Sequence, residues 1–235
     1  MRQRIIGKLV RLKAALLGTR TDVIDTPVHI VASPFKTAST TVGKALLHLG
    51  VGQREMIFHG HLQREFIATF RAINKTVDDD ISARDWIAEH KDEVRRQLAG
   101  LIPHLNRFDI YSDAPFGHTH LHPFARKAIA PKARFIWVNR PFQDWLDSVR
   151  RWEIAHPDVY PRYTMWESDP EARTATLRAR WDRHYTQFQR LAAAFPDDCL
   201  ELSVDDLSDY SALAAFYGIK APDGPLQKHN VSRDD

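Results

Sequence analysis

The chain has 235 residues, 43% of them apolar and 27% charged, and its 33 basic and 30 acidic side chains leave a net charge of +3. These proportions exclude a disordered or a fibrous protein. No apolar run reaches the roughly 18 residues of a membrane-spanning helix. The single cysteine, Cys199, excludes an intrachain disulfide and a zinc site built from cysteines. Because the N-terminus lacks the apolar core and cleavage site of a signal peptide, we expect a cytoplasmic protein.

The positive charge is concentrated at the N-terminus. Residues 1–20 contain six basic and no acidic side chains, so this segment carries +6 and the remainder of the chain −3. Apolar residues recur there at helical spacing, which predicts a short basic amphipathic helix. Such a helix either packs on the domain or rests on an anionic membrane surface or partner. The basic character therefore belongs to a tail and does not indicate nucleic-acid binding.

Beyond residue 27, short β-rich runs alternate with longer segments of helical period, which is typical of βαβ units. Strands are expected over residues 28–32, 109–112, 134–138 and 199–202. Helices are expected over about residues 40–49, from Ser82 onward, and over about 143–152, 171–195 and 207–217. The pattern predicts one α/β domain over residues 27–232, with a mainly parallel sheet flanked by helices.

The first predicted strand runs into a loop rich in small hydroxyl residues, Ser33 to Thr41, which contains one lysine, Lys36. A strand, such a turn and a helix N-terminus favour an anion site, because unpaired backbone N–H groups and the positive end of the helix dipole converge there. Lys36 adds a full positive charge. The alternative is a helix with a Ser/Thr-rich N-terminus and an incidental surface lysine.

The loop does not match the phosphate loop of nucleotide triphosphatases. That loop requires Gly, four further residues and then Gly-Lys-Ser/Thr. The nearest match begins at Ala38 and ends at Gly43-Lys44-Ala45, so it lacks the first glycine and the hydroxyl that would hold Mg²⁺. A small-molecule kinase or an ATPase is therefore disfavoured.

In another register, Lys36-Thr37-Ala38-Ser39-Thr40 resembles the Lys-Ser/Thr-Gly-Thr/Ser-Thr loop of sulfotransferases that use 3′-phosphoadenosine 5′-phosphosulfate (PAPS). This chain departs from the family loop twice, because Ala38 replaces the glycine and Phe35 separates Pro34 from the lysine. Alanine removes conformational freedom at this position, which is tolerable only if the φ angle there is negative.

A second segment is similar to the same family. Arg140 and Ser148 stand eight residues apart after a predicted strand, with Pro141 between them, as in the segment that binds the 3′-phosphate in sulfotransferases. A guanidinium fork and a hydroxyl on the following helix can hold a terminal phosphate together. The C-terminal third, including Lys228-His229-Asn230, also resembles bacterial sulfotransferase domains. The resemblance covers about residues 27–232 and implies a P-loop-like fold.

The resemblance implies a role for each matching residue. Lys36 would stabilise the leaving phosphate at the oxygen that bridges phosphorus and sulfur. The loop would bind the 5′-phosphate, and its implied binding residues are Lys36, Thr37, Ala38, Ser39, Thr40 and Thr41. Arg140 and Ser148 would bind the 3′-phosphate, while Lys228, His229 and Asn230 would fold back near the nucleotide. No metal is implied, because these cations and the helix dipole neutralise the phosphates.

The acceptor hydroxyl or amine also needs a group that takes its proton. One location in the family is the end of the strand before the 3′-phosphate segment, where this chain has Asp113 two residues before Pro115. Asp113 is therefore the candidate base, and an Asp that only ends the strand and begins a turn is the alternative. A second family arrangement points to Glu55. Further candidates are His59, His61 and His118.

Two other groups of residues are open to more than one interpretation. His118, His120 and His122 alternate along the chain and would share one side of an extended strand, as in a metal site, although a turn into a helix is favoured. Aromatic residues in a proline-interrupted stretch either wall an acceptor pocket or pack in the core. They are Trp152, Tyr160, Tyr163 and Trp166.

Together these features predict a sulfotransferase that moves a sulfuryl group from PAPS to a hydroxyl or amine acceptor, such as a carbohydrate or a small metabolite. The second product would be 3′,5′-ADP. The alternative is a catalytically silent nucleotide-binding or membrane-surface interaction protein on the same fold, since Ala38 departs from the family loop and several residues compete for the role of base. A small-molecule kinase comes third.

Overall fold

The computed structural model describes residues 23–158, 161–227 and 229. The basic helix predicted over residues 1–20 lies outside this part of the chain, as do Tyr160, Lys228 and Asn230. The fold is α/β and 55% helical, with one sheet of five parallel strands flanked by helices, as the sequence predicts. No helix in the described part is long and apolar enough to cross a membrane.

All five strands are parallel and follow the order β2-β3-β1-β4-β5. Their bounds are Val28–Val31 (β1), Glu55–Met56 (β2), Ile110–Tyr111 (β3), Ala133–Asn139 (β4) and Cys199–Ser203 (β5). Four of them correspond to the predicted strands, and each strand end lies within one residue of its predicted position. The sequence predicts no strand at β2, because two residues are too few to show an alternating pattern.

Nine α-helices connect and cover the strands in the described residues. Their bounds are Ser39–His48 (α1), Gly60–Asn74 (α2), Ala83–Leu98 (α3), Ile102–Leu105 (α4), Pro123–Ile129 (α5), Phe142–Ala155 (α6), Met165–Ser168 (α7), Pro170–Ala194 (α8) and Ser211–Tyr217 (α9). The predicted helix from Ser82 is α3, whose N-cap is Ser82. α2 was not predicted, although Leu62, Phe66, Phe70 and Ile73 recur there at helical spacing and are buried.

The last helix begins later than predicted, at Ser211 instead of Leu207. The carboxylate of Asp206 accepts hydrogen bonds from the backbone N–H and the hydroxyl of Ser203, at 2.7 and 2.8 Å. These bonds close a turn after β5 and hold the chain out of the helix for several residues. At the other end, Gly218 adopts a left-handed conformation and ends the helix as predicted.

The helices cover both faces of the sheet. α1 and α9 pack on one face, against strand residues that include Val31 and Ile136. The long helices α2, α3, α6 and α8 pack on the other face, around Ile30, Phe135 and Trp137. Neighbouring residues of one strand thus point to opposite faces, and both faces are buried. This explains why the central strands are almost continuously apolar.

The strand order creates a crevice at the carboxyl edge of the sheet. From β1 the chain passes through α1 to β2 at one edge, and from β4 it passes through α6 and α8 to β5 at the opposite edge. The loops that leave the neighbouring strands β1 and β4 therefore diverge. Open α/β sheets bind ligands at such a point of divergence. The loop after β1 contains Lys36, and the loop after β4 contains Arg140.

Candidate anion-binding site

The loop between β1 and α1 is held together by its own hydroxyl groups. The side-chain oxygens of Ser33 and Thr37, both fully buried, lie 2.8 Å apart. The Thr37 hydroxyl donates to the carbonyl oxygen of Pro34 at 2.6 Å. Its proton is therefore used inside the loop, so Thr37 stabilises the loop with its side chain and offers a ligand its backbone N–H.

Two non-glycine residues of this loop adopt left-handed backbone conformations. The φ angle is +67° at Lys36 and +64° at Ala38. The condition of a negative φ at Ala38 is therefore not met, because the chain turns from β1 into α1 with the backbone geometry that glycine favours. Such a conformation costs about 1–2 kcal/mol for a residue with a Cβ atom. Strained backbone of this kind is concentrated at ligand-binding sites.

The first turn of α1 lacks the groups that usually neutralise a helix N-terminus. Its N-cap residue, Ala38, provides no side-chain hydrogen bond, and no acidic residue lies in the first turn. The positive end of the helix dipole therefore faces the loop without a side-chain cap or a carboxylate. Ser39, Thr40 and Thr41 follow at this end, and Ser39 and Thr41 are buried.

Lys36 extends from the loop over the face of Trp152, with its Nζ atom 3.6 Å from the ring centroid. Partial burial lowers the pKa of Lys36 below its ordinary value, and the nearby charges of Arg140 and Arg151 lower it further. The ammonium group thus lies in a crowded positive environment.

Arg140 joins the loops of β4 and β1 across the crevice. Its guanidinium donates to the backbone carbonyl of Lys36 at 3.0 Å. In the part of the chain that the structure describes, no carboxylate forms a salt bridge with Lys36, Arg140 or Arg151. Three neighbouring cations without a salt-bridge partner among the described residues favour the binding of an anion.

α6 turns one side toward this loop. Trp145, Ser148 and Trp152 recur at spacings of three and four residues and therefore share a side of the helix. The indole N–H of Trp145 donates to the carbonyl oxygen of Phe35 at 2.7 Å, and Trp152 contacts Lys36. Ser148, which is 5% exposed, lies between them on the same side. The structure thus brings Ser148 to the helix side that faces the loop.

Phe35, the residue before Lys36, packs against α6. The Phe35 ring packs edge-to-face on Trp145, with centroids 6.3 Å apart, and its carbonyl accepts the indole hydrogen bond. The residue that interrupts the family pattern therefore anchors the loop to α6.

The C-terminal segment reaches the first turn of α1. The backbone N–H of His229 donates to Thr41 Oγ1 at 3.0 Å, and the Thr41 hydroxyl lies 3.4 Å from the His229 carbonyl oxygen. His229 is thus brought next to a loop residue, as the resemblance implies, whereas its neighbours Lys228 and Asn230 lie outside the described residues.

Two carboxylates lie near the end of β3, one from Glu55, the first residue of β2, and one from Asp113. The side chain of Glu55 is 4% exposed, pairs with Lys44 Nζ at 2.7 Å and accepts a hydrogen bond from Ser112. Asp113 follows β3 by two residues, and its side chain is 38% exposed. Burial raises the pKa of Asp113, as does the charge of Glu55, while a hydrogen bond from the Ala114 N–H opposes this shift.

His118 connects Asp113 to Ser39, at the end of the loop between β1 and α1. Its Nε2 atom lies 3.1 Å from Ser39 Oγ, and its Nδ1 atom lies 3.4 Å from Asp113 Oδ1. Burial lowers the pKa of His118 to about 3, and the charges of Arg180 and Arg126 contribute to the shift. The imidazole is therefore neutral at physiological pH and orients Ser39 without adding charge.

His59 belongs to the same edge through its backbone. Its N–H donates to the Ala114 carbonyl oxygen at 3.0 Å, which places the loop from β2 to α2 beside Asp113. The His59 ring lies near His61 and Phe108, with centroids 5.8 and 5.6 Å apart. The His59 ring also has a polar partner, since its Nδ1 atom lies 2.5 Å from the carbonyl oxygen of Ile57.

The three alternating histidines have separate partners. His118 contacts Ser39, His120 lies 3.2 Å from Gln63, and His122 accepts from the backbone of Phe124 at the start of α5. The described residues contain no group of three or more His, Cys, Asp or Glu side chains that could hold a metal ion. The three imidazoles therefore do not converge on one point.

The aromatic stretch divides between core and crevice. Trp166 is 5% exposed, and its indole donates to Glu153, which also forms a buried salt bridge with Arg173. Trp166 thus belongs to the core, whereas Trp152 is half-buried beside Lys36.

The register that would define a nucleotide triphosphatase lies within a helix. Lys44 is the sixth residue of α1 and is held by Glu55, so it is not part of the loop that turns around the helix N-terminus. The position of Lys44 within α1 thus agrees with the failure of Gly43-Lys44-Ala45 to match the phosphate-loop motif.

Comparison of the chain with models of protein families and with curated proteins finds no match.

Sequence reasoning missed three residues that the structure brings to the site. Arg151 adds a third cation near Lys36, Arg180 lies near His118, and the Trp145 indole holds the loop. The helical spacing between Trp145, Ser148 and Trp152 could have indicated Trp145 and its side of α6. No local pattern could have indicated Arg180, which reaches the site from α8.

Proposed function

We propose that the protein is a PAPS-dependent sulfotransferase that binds the nucleotide in the crevice between β1 and β4. The observation that carries the proposal is the meeting of Lys36, Arg140 and Arg151, without a carboxylate partner among the described residues, at the divergence of two strand loops. The strained loop and the uncapped start of α1 add donors at the same place. Their arrangement supports a P-loop-like architecture with a phosphate-binding first loop.

In the proposed reaction, an oxygen or nitrogen of the acceptor attacks the sulfur of PAPS. The bond between sulfur and the bridging oxygen breaks, and 3′,5′-ADP leaves with the electron pair of that bond. Lys36 and the amides of the loop stabilise the charge that develops on the leaving phosphate. Arg140 and Ser148 hold the 3′-phosphate and so fix the nucleotide for in-line transfer.

A carboxylate at the same edge takes the proton of the acceptor. Asp113 fits this role because it is partly exposed, lies past the carboxyl end of β3 and is linked through His118 to Ser39. Glu55 is the alternative, but Lys44 and Ser112 already engage its two oxygens. We expect Asp113→Asn to lower kcat and preserve affinity for 3′,5′-ADP, with Glu55→Gln as the matched comparison. A larger loss of kcat in Glu55→Gln would transfer the role to Glu55.

Thermal shifts with nucleotides test the proposal. Without metal, 3′,5′-ADP should stabilise the protein far more than 5′-AMP at equal concentration, because only 3′,5′-ADP offers a 3′-phosphate to Arg140 and Ser148. At one hundred times Kd the stabilisation would be about 2.7 kcal/mol. Arg140→Met should abolish the difference between the two nucleotides. The control Arg178→Met, which removes an arginine of α8 stacked on Phe142 at the start of α6, should preserve it.

Other outcomes identify the competing functions. Equal shifts from 3′,5′-ADP and 5′-AMP would contradict the assignment of the 3′-phosphate site. A larger shift from ATP with Mg²⁺ would favour a kinase. Binding of 3′,5′-ADP without transfer to a panel of hydroxyl and amine acceptors would favour a silent nucleotide-binding protein.

A further inference from the structure

Lys36 faces a physical conflict in the crevice. To act on a leaving phosphate its ammonium group must remain charged and directed inward. Its surroundings oppose both requirements, because the group is partly buried and lies near the guanidinium groups of Arg140 and Arg151. A lysine side chain is long and flexible, so repulsion alone would move the ammonium group toward solvent.

The face of Trp152 provides the missing attraction. The Nζ atom of Lys36 lies 3.6 Å from the centroid of this ring, within contact distance of its electron-rich face. An indole ring is the side chain that attracts an ammonium group most strongly in this geometry. The contact needs no carboxylate, so it leaves the positive charge of the crevice available to an anion.

The ring itself is held in place by His156. The two rings stack with centroids 3.7 Å apart and planes at 25°, and the His156 Nδ1 atom lies 2.9 Å from the Trp152 carbonyl oxygen. Two groups centred 3.6 and 3.7 Å from one ring centroid cannot share a face of that ring. Lys36 and His156 therefore lie on opposite faces, and the indole is enclosed between them.

We propose that Trp152 is the positioning residue for Lys36, holding the ammonium group in the crevice beside Arg140. Trp152 lies one helical turn after Ser148 on α6. The same helix therefore positions Lys36 and carries the Ser148 hydroxyl that would bind the 3′-phosphate. The part of this inference that concerns transfer rests on the proposed function. The part that concerns the contact rests on the geometry alone.

An unfolding cycle tests the contact without any ligand. The proteins are the parent, Lys36→Met, Trp152→Leu and the double variant, and each unfolding equilibrium constant is measured with denaturant. Independent residues would give effects that multiply. We expect the double variant to deviate from the product on the order of 2–5-fold, as for a coupled cation–π pair. Effects that multiply would overturn the proposal.

A control on the same helix keeps this cycle specific. The Phe142 ring contacts Arg178, whose Cζ atom lies 3.3 Å from its centroid, whereas the Lys36 ammonium group lies over Trp152. The effects of Phe142→Leu and Lys36→Met should therefore multiply. Should Trp152→Leu fail to fold, Trp152→Met takes its place in the same cycle.

A kinetic cycle tests the positioning. Trp152→Leu should lower kcat with PAPS about tenfold while the Kd of 3′,5′-ADP stays within about twofold. Trp152→Phe, which keeps a ring face, should recover most of the loss. In the Lys36→Met background, Trp152→Leu should lower kcat no further. A Kd that weakens as much as kcat falls, or a Trp152→Phe as defective as Trp152→Leu, would overturn the positioning role.

The two cycles separate the two proposals. Coupling in the unfolding cycle together with a parent protein that transfers no sulfuryl group would support the contact and contradict the proposed function. Transfer by the parent without coupling in unfolding would support the proposed function and overturn the role of Trp152.

Discussion

Ala38 carries a methyl group on a backbone whose φ of +64° suits glycine, and Lys36 has φ of +67° two residues earlier. Side chains from the loop after β4 and from α6 hold the backbone of the loop between β1 and α1 in place. Arg140 binds the carbonyl of Lys36, and the Trp145 indole binds the carbonyl of Phe35. The strain at the loop is thus offset by hydrogen bonds from another part of the chain, which is the arrangement expected of a preorganised binding loop.

Ala38→Gly should stabilise the protein. Glycine adopts the left-handed conformation without the Cβ penalty, and after its larger loss of chain entropy a gain of about 0.5–1 kcal/mol remains. Denaturant unfolding measures it. The matched control is Ala45→Gly in the middle of α1, which should destabilise by about 1 kcal/mol. Equal destabilisation by both changes would show that residue 38 is not left-handed.

Lys36→Ala should leave the affinity for 3′,5′-ADP largely intact and lower the rate of transfer from PAPS about 10²–10³-fold. The ammonium group acts mainly in the transition state, when the leaving phosphate gains charge. Single-turnover kinetics and calorimetric binding separate the two effects. Lys75→Ala, an exposed lysine at the end of α2, is the control and should transfer at the parental rate. Parental transfer by Lys36→Ala would contradict the assignment of the loop.

The pH dependence of transfer should reveal the lowered pKa of Lys36. Burial and the two nearby guanidinium groups favour its neutral form, so transfer should decline at a pH below the ordinary range of a lysine. Lys36→Arg should move this alkaline decline to higher pH, whatever its effect on the maximal rate. A decline at the same pH in both proteins would assign it to another group.

At the scale of elements, α1 packs closely on β2 and on the end of β3. This packing sets the distance between the loop that contains Lys36 and the carboxylates of Glu55 and Asp113. Gly43 makes this approach possible. A Cβ atom at residue 43 would overlap Glu55 Oε1 and lie 2.8 Å from the Cβ of Ser112. The helix α1 therefore begins with Ser39 and packs through Gly43 on the residues beside Asp113. A shift of α1 would move Ser39 relative to Asp113.

Gly43→Ala should destabilise the protein, although alanine is the better helix former by about 1 kcal/mol. The added methyl group must displace Glu55 or move α1 away from the sheet, and overpacking of this kind costs about 1–3 kcal/mol. Denaturant unfolding gives the sign of the change. Stabilisation would mean that α1 does not pack so closely on Glu55.

At the scale of the whole molecule, five buried or half-buried histidines limit stability in acid. Burial is the main cause of the lowered pKa of each, which is about 4 for His29, about 3 for His118, His120 and His184, and well below the usual value for His122. The folded protein keeps these imidazoles neutral, whereas the unfolded chain protonates them below about pH 6.5. Stability is therefore present above that pH and is lost as the pH falls toward 3–4.

The free energy of unfolding should fall steeply between about pH 6.5 and 4, with a slope of up to about five protons. Denaturant unfolding at a series of pH values, followed by circular dichroism, measures the slope. His184→Gln should reduce it by about one proton, whatever its effect on stability at neutral pH. A free energy that stays constant over this range would contradict the burial of these imidazoles.

The sequence by itself determined the main elements and predicted an anion-binding role for the loop between β1 and α1. Predominantly apolar runs at β1 and β4 favour buried parallel strands, and the long helical period at α8 is unambiguous. Lys36, Arg140 and Ser148 are predicted as site residues because their order and spacing after these strands resemble the sulfotransferase motifs. A local sequence pattern is sufficient to predict an element when that element's own residues determine its secondary structure.

Only the tertiary structure decided how these segments meet. The left-handed backbone at Ala38, the two-residue strand β2 and the contact of Lys36 with Trp152 depend on groups far away in sequence. The link from Ser39 through His118 to Asp113 joins residues that lie more than seventy positions apart. Such contacts follow from the packing of helices on a sheet, which fixes distances that no local periodicity encodes.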